Sequence, residues 1–152
     1  MLQGEKNLLK TGKTCEAISE QEFIFACLKE YELNKVAWYC VNSGENQLSD
    51  EEYSYDSLRE NNCTTHPVAM LKSNELGIYD MSGNVWEWCS DIYSMYPSSL
   101  KKKPSGKIKN LNYMIRGGGF ADISNVCRIA NRGNASQHTR TCDLGFRLAL
   151  SE

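Results

Sequence analysis

The sequence predicts one loop-rich domain in which a single helix accompanies a few short strands. Three observations predict it. Only residues 19–31 combine a helix start signal with helical periodicity. The remaining apolar runs are short and are separated by long polar stretches. The run Glu75 to Trp88 crowds two glycines, two of the three tryptophans and the acids Asp80 and Glu87 together, a mixture that suits a turn better than a regular element.

The bulk properties bound the answer. At 152 residues the chain is one domain, read as a polar, aperiodic lead-in over 1–17 and a folded unit over 18–152. Hydrophobic content of 41% is enough for a core. A net charge of −2 favours neither nucleic acid nor a membrane surface as partner. No run approaches the roughly 20 apolar residues of a spanning helix, and the first residues lack the apolar stretch of a signal peptide. As it stands the chain reads as cytoplasmic; as a fragment of a longer precursor it would read as exported. Its seven cysteines are irregularly spaced and include no C-x-x-C pair, which argues against a zinc site or a thioredoxin-like motif. They read as small, mostly buried, reduced thiols. One or two disulfides stay open for an exported protein.

The elements follow in order. Ser19 is an N-cap, Glu22 completes a capping box, and Ile18 and Phe23 are placed as a hydrophobic staple. Phe23, Ala26, Cys27 and Tyr31 then mark one buried face of a helix over 19–31. Lys35 to Cys40 is a short extended run. Residues 42–64, with Asp50, Glu51, Glu52, Tyr53, Tyr55 and Asp56, read as a surface loop, because the acids lack the alternating spacing of a calcium loop. Asn62-Cys63-Thr64 and Asn134-Ala135-Ser136 match the glycosylation pattern, which arises often by chance. His66, held extended by Pro67, reads as a hydrogen-bonded loop residue rather than a base.

The basic stretch 101–109 contains proline and glycine and no interleaved aromatics, so it reads as a solvated loop. Tyr113 to Arg116 is a strand running into Gly117-Gly118-Gly119. No phosphate-binding pattern follows these glycines, which points to close backbone packing. Val126 to Arg132 alternates apolar and polar residues like a half-buried strand. A polar loop over 133–141 leads to a final apolar strand, Cys142 to Leu150.

In the run Glu75 to Trp88, Gly77 and Gly83 ask for backbone angles other residues resist. Asp80 and Glu87 offer hard oxygen ligands, and Trp86 and Trp88 offer large apolar faces with one donor each. A turn wrapped round an ion or ligand fits this composition; an ordinary capped turn without an ion is the alternative.

The order of these pieces resembles the formylglycine-generating enzyme, or sulfatase-modifying factor, family. The residues that carry the resemblance are Ser19-x-x-Glu22-Phe23, His66-Pro67-Val68, Asn74 through Trp88, Arg116-Gly117-Gly118, Arg128-x-Ala130-Asn131-Arg132 and Gly145-Phe146-Arg147-Leu148. It covers residues 18–150 and corresponds to the C-terminal half to two-thirds of the family domain. The resemblance implies an α+β, C-type-lectin-like fold with few regular elements. It also implies a structural calcium ion held by the Asp80 and Glu87 carboxylates and the Gly83 and Val85 backbone carbonyls. Calcium takes about 6–8 oxygens, and such a mixture supplies them.

The family's oxidases hold copper on two cysteines after the Gly-Gly turn, because soft Cu(I) takes thiolates. Here Gly119 replaces a serine, and Asp122 stands at the first cysteine. Cys127 falls at the second, counting forward from Gly117-Gly118, whereas counting back from Arg132 gives Ser124. One thiolate remains at most. Copper is therefore not expected, and Cys127 is the one residue left as a catalytic candidate. A non-haem iron variant gains nothing from His66 and His138, which lie far apart in sequence. The expectation is a non-catalytic module binding a protein or small-molecule ligand through Trp86, Asp122, Asn125, Arg128 and Asn131. The alternatives are a formylglycine-generating oxidase and a truncated, decayed copy of one. A shortened sheet would expose an edge that a homodimer or a partner would cover.

Overall fold

A computed structural model describes residues 15–17, 33–74, 76–94 and 112–150, with the backbone alone at 15–17 and 150. The expected helix over 19–31 and the basic loop lie outside these residues.

The central sheet is built on β4 (Trp86–Ile92), flanked by β5 (Asn112–Arg116) on one side and β7 (Leu144–Phe146) on the other. Beyond β5 lies β6 (Gly133–Ser136), so the order is β6-β5-β4-β7. The β4–β5 and β5–β6 pairs are antiparallel and β4–β7 is parallel. In β4 the period-two alternation turns Glu87 and Cys89 inward, while Trp86 and Trp88 stay partly accessible. Trp88 meets Tyr113 of β5 edge-on, with ring centroids 6.4 Å apart. The apolar end of β5 is buried, Met114 completely.

Two small pairings complete the frame. A parallel pair joins β2 (Ala37–Trp38) to β3 (Ser82–Gly83), and an antiparallel pair joins β1 (Cys15–Ala17) to β8 (Leu148–Leu150). The expected run 35–40 is thus a strand of two residues. Cys15–Ala17, read as the end of an aperiodic lead-in, is instead the partner of the last strand. The short helix α1 (Tyr55–Glu60) is held by its ends: Ser54 Oγ accepts the Ser57 N–H at 3.0 Å, and Leu58 is its buried contact. Leu58 joins Ala37, Tyr39, Cys40, Val41 and Cys127 in the main core. Met81 centres a second cluster with Ile78, Ile129 and Ala149. Among the described residues no helix is long and apolar enough to cross a membrane.

Four expectations need correction. Val126–Arg132 is not a strand. Its backbone is spent in local turns, Val126 N–H to Ile123 O and Asn131 N–H to Arg128 O at 2.9 Å each, and the strand comes one step later as β6. The final apolar run is two strands on different sheets, parted at Arg147, whose side chain turns to Glu87. Of the run 75–88, residues 76–85 form turns around the two-residue β3, and Trp86 and Trp88 belong to the central strand. Residues 42–64 are not simply a solvated loop, since they contain α1 and a buried Ser43 whose hydroxyl donates to Phe120 O at 2.8 Å.

Candidate functional site

The site is assembled where β5 runs out. Arg116 is 1% exposed, and its Nη1 donates to the carbonyls of Ile129 (2.9 Å) and Asn131 (2.5 Å), tying the following loop back to the strand. Gly117 and Gly118 then take φ of +95° and +74°, so the chain reverses through left-handed backbone. A Cβ on Gly118 would meet Cys127 Sγ at 2.8 Å. The turn closes reciprocally: Gly119 N–H donates to Asp122 Oδ2 at 2.8 Å, and Asp122 N–H donates to Gly119 O at 3.1 Å.

This places the Asp122 carboxylate beside the polar edge of the Trp86 indole of β4, which favours its charged form. A Cβ on Gly119 would lie 3.2 Å from Asp143 Cβ and 3.4 Å from Trp86 Cδ1. Trp86, Asp122 and Asp143 therefore converge from three segments that sequence spacing does not connect. Burial pushes the Asp122 carboxyl above the usual carboxylate range and the neighbouring Asp143 charge adds to this, against the Gly119 hydrogen bond and the polar edge of the Trp86 indole.

Cys127 lies beneath this turn, 1% exposed. Burial pushes its thiol strongly up, and the charges of Asp122, Cys40 and Asp50 push the same way. Cys40, also buried, is pushed up to about 12, by burial first and then by Asp50, towards whose Oδ1 its thiol points at 3.6 Å. Thiols held this way resist forming the thiolate that nucleophiles and soft metals require. The sequence reading missed Cys40 and Asp50. Asp50 accepts the Ser124 N–H at 3.2 Å and also the Ser124 hydroxyl, a contact spanning 74 positions that leaves no trace in local spacing.

Of the expected ligand-binding residues, Trp86 and Asp122 are in contact. Asn125 and Arg128 stand exposed on the same turn, where Arg128 Nε donates to Asn125 O at 3.1 Å. Asn131 contributes its carbonyl to Arg116. Cys40, Cys63, Cys127 and Cys142 are free thiols, and Cys142 is exposed while Cys127 is buried. His66 is a structural residue. It stacks on Trp38 at 3.8 Å, and its Nε2 lies 3.0 Å from Ser43 O.

The expected calcium turn precedes β4. Asp80, Gly83 and Asn84 take φ of +54°, +71° and +64°, which folds the chain back sharply. The Asn84 side chain ties it to His66, accepting His66 N–H at 2.9 Å and donating to His66 O at 3.0 Å. Asp80 Oδ2 accepts the Ala69 N–H at 2.8 Å. Glu87 is 5% exposed and is gripped by Arg147, whose Nη2 lies 2.6 Å from Oε1. Among the described residues no three His, Cys, Asp or Glu side chains converge into a metal cluster. The donor chemistry at Asp80, Gly83, Val85 and Glu87 nonetheless fits calcium: two carboxylates and two backbone carbonyls are hard oxygens. Arg147 does not exhaust Glu87, because each carboxylate oxygen has two acceptor positions.

Residues 16–152 match the family described as the sulfatase-modifying factor enzyme 1-like domain. The chain belongs to this family. Among curated relatives of this sulfatase-modifying-factor domain, it is 34% identical over 119 residues to the chaperone protein LppX of Paenibacillus barcinonensis, covering 78% of this chain and 39% of that protein. It is 31% identical over 99 residues to the formylglycine-generating enzyme of Streptomyces coelicolor, covering 62% and 32%. It superposes on Treponema denticola variable protein 1 with a TM-score of 0.68 at 30% identity, over 91% of this chain and 48% of that one. For PvdO from Pseudomonas aeruginosa the TM-score is 0.65 at 26% identity, over 95% and 55%. The sulfatase-modifying-factor domain seen here thus spans well under half the length of these two curated relatives, and its fold is the loop-rich α+β fold of the family.

Proposed function

We propose that this chain is a non-catalytic binding module of the sulfatase-modifying-factor family, with its recognition surface beside Trp86. The observation that carries the reading is Asp122. It stands where the resemblance places the first copper thiolate, and it is held there by the Gly119 N–H, with the Trp86 indole beside it. Cys127, at the second position when counted from Gly117-Gly118, is buried and its thiol is pushed up. A carboxylate is a hard ligand and a poor partner for Cu(I). An indole flanked by Asp122 and Asp143, with Asn125 and Arg128 on the rim, suits a ligand bearing a cationic or hydrogen-bond-donating group, whether protein or small molecule. Calcium at Asp80, Gly83, Val85 and Glu87 has a structural role in this reading, bracing the turn that leads into Trp86.

One observation favours the oxidase reading. Cys40 is a second buried thiol, packed in the same core cluster as Cys127. Against it, both thiols are pushed up rather than down.

Competition for Cu(I) against a chromophoric chelator separates the two. The module leaves the metal with the chelator, or binds it in a way that Cys127→Ala does not change. Binding of one equivalent that disappears in Cys127→Ala contradicts the module.

A further inference from the structure

An ionised carboxylate as buried as Glu87 needs a counter-charge. Arg147 supplies it. Its Nε donates to Oε1 and Oε2 at 3.1 and 2.9 Å, and its Nη2 donates to Oε1 at 2.6 Å. The same Nη2 donates to the Asp80 backbone carbonyl at 3.0 Å. One guanidinium therefore spans the two ends of the turn, touching both residues whose carboxylates would hold calcium.

We propose that Arg147 is a built-in cation that lets the turn 80–87 fold without calcium and that sets how strongly the turn responds to the ion; this rests on the calcium reading above. Arg147 acts in two opposite ways. Its fork holds the Glu87 carboxylate in place, and its positive charge opposes a divalent ion sharing that carboxylate. With Arg147 removed, Glu87 is a buried carboxylate without its fork, and calcium takes over as counter-ion. The fold then becomes calcium-dependent. Arg147 is a positioning residue in this account.

The test compares the whole chain, Arg147→Met and Arg147→Lys, by thermal unfolding and calorimetric titration in EDTA, in calcium and in magnesium. Methionine keeps an unbranched apolar stem and removes the charge; lysine keeps the charge and loses the fork. The wild-type chain is expected to be folded in EDTA and to gain a modest rise in Tm with calcium. Arg147→Met is expected to lose stability in EDTA and regain it in calcium, and to bind calcium on the order of tenfold tighter, the scale of removing one unit charge beside a divalent ion. Arg147→Lys is expected to keep the wild-type calcium affinity. If wild type and Arg147→Met both show no calcium heat and no shift, the calcium reading itself fails. If wild type binds calcium but Arg147→Met gains no more from it, or stays unfolded in its presence, Arg147 is only structural. The proposal is then overturned while the calcium reading stands.

Discussion

Gly118 and Cys127 are in direct contact: a Cβ on the glycine would fall 2.8 Å from the cysteine sulfur and 3.1 Å from its Cα. The left-handed turn after β5 and the buried thiol are thus one packed unit. Gly118→Ala would pay twice, for left-handed backbone (~1–2 kcal/mol) and for overpacking (~1–3 kcal/mol). Gly77, at the same φ of +74°, has nothing within 4 Å of its Cβ position and would pay the backbone cost alone. Urea denaturation is expected to show Gly118→Ala the more destabilised of the two by at least ~1 kcal/mol. Equal losses would mean that the Cys127 contact costs nothing.

The thiols should differ in reactivity. Cys142 is exposed, whereas Cys40 and Cys127 are buried with their thiols pushed up. Brief alkylation of the native chain near pH 8, read by peptide mass spectrometry, is expected to modify Cys142 first and to spare Cys40 and Cys127 until the chain is unfolded. Rapid native labelling of Cys127 would show an accessible thiolate and would revive the oxidase reading.

Asp122 gives a pH dependence of definite sign. Its folded carboxyl titrates above its usual value near 3.8 because burial disfavours the charge. The folded state therefore binds this proton more readily than the unfolded state, so Asp122 costs stability at neutral pH. That cost is relieved as pH falls through the raised value. Asp122→Asn keeps an acceptor for Gly119 N–H and cannot ionise. The Tm of this variant relative to wild type is expected to improve as pH rises from below 4 to 7. A difference independent of pH would show that Asp122 is not perturbed.

Much of the frame could be read from the chain because its signals are local. Tyr113 to Arg116 is a strand that runs into a close-packed glycine turn, and the run around Ala37 and Trp38 is extended. Asp80, Gly83 and Asn84 do fold a sharp turn. The failures have physical causes. Val126–Arg132 alternates like a strand because successive turns also send Cys127 inward and leave Arg128 exposed. Cys142 to Leu150 reads as one apolar strand because nothing local reveals that Arg147 must turn aside to meet Glu87, 60 positions away. The other acids around the site were hidden for the same reason: Asp50 reaches Ser124, and Asp143 reaches Trp86 and Gly119, only through the tertiary fold.

The central claim is that Asp122, held by the Gly119 N–H beside Trp86, has taken the place of a copper thiolate and left a module that does not oxidise cysteine. The direct measurement is conversion of a cysteine-containing sulfatase peptide to its formylglycine form, followed by mass spectrometry with the whole chain, copper, oxygen and a thiol reductant. The account predicts no conversion above a protein-free control. Conversion that is abolished by Cys127→Ala would contradict it.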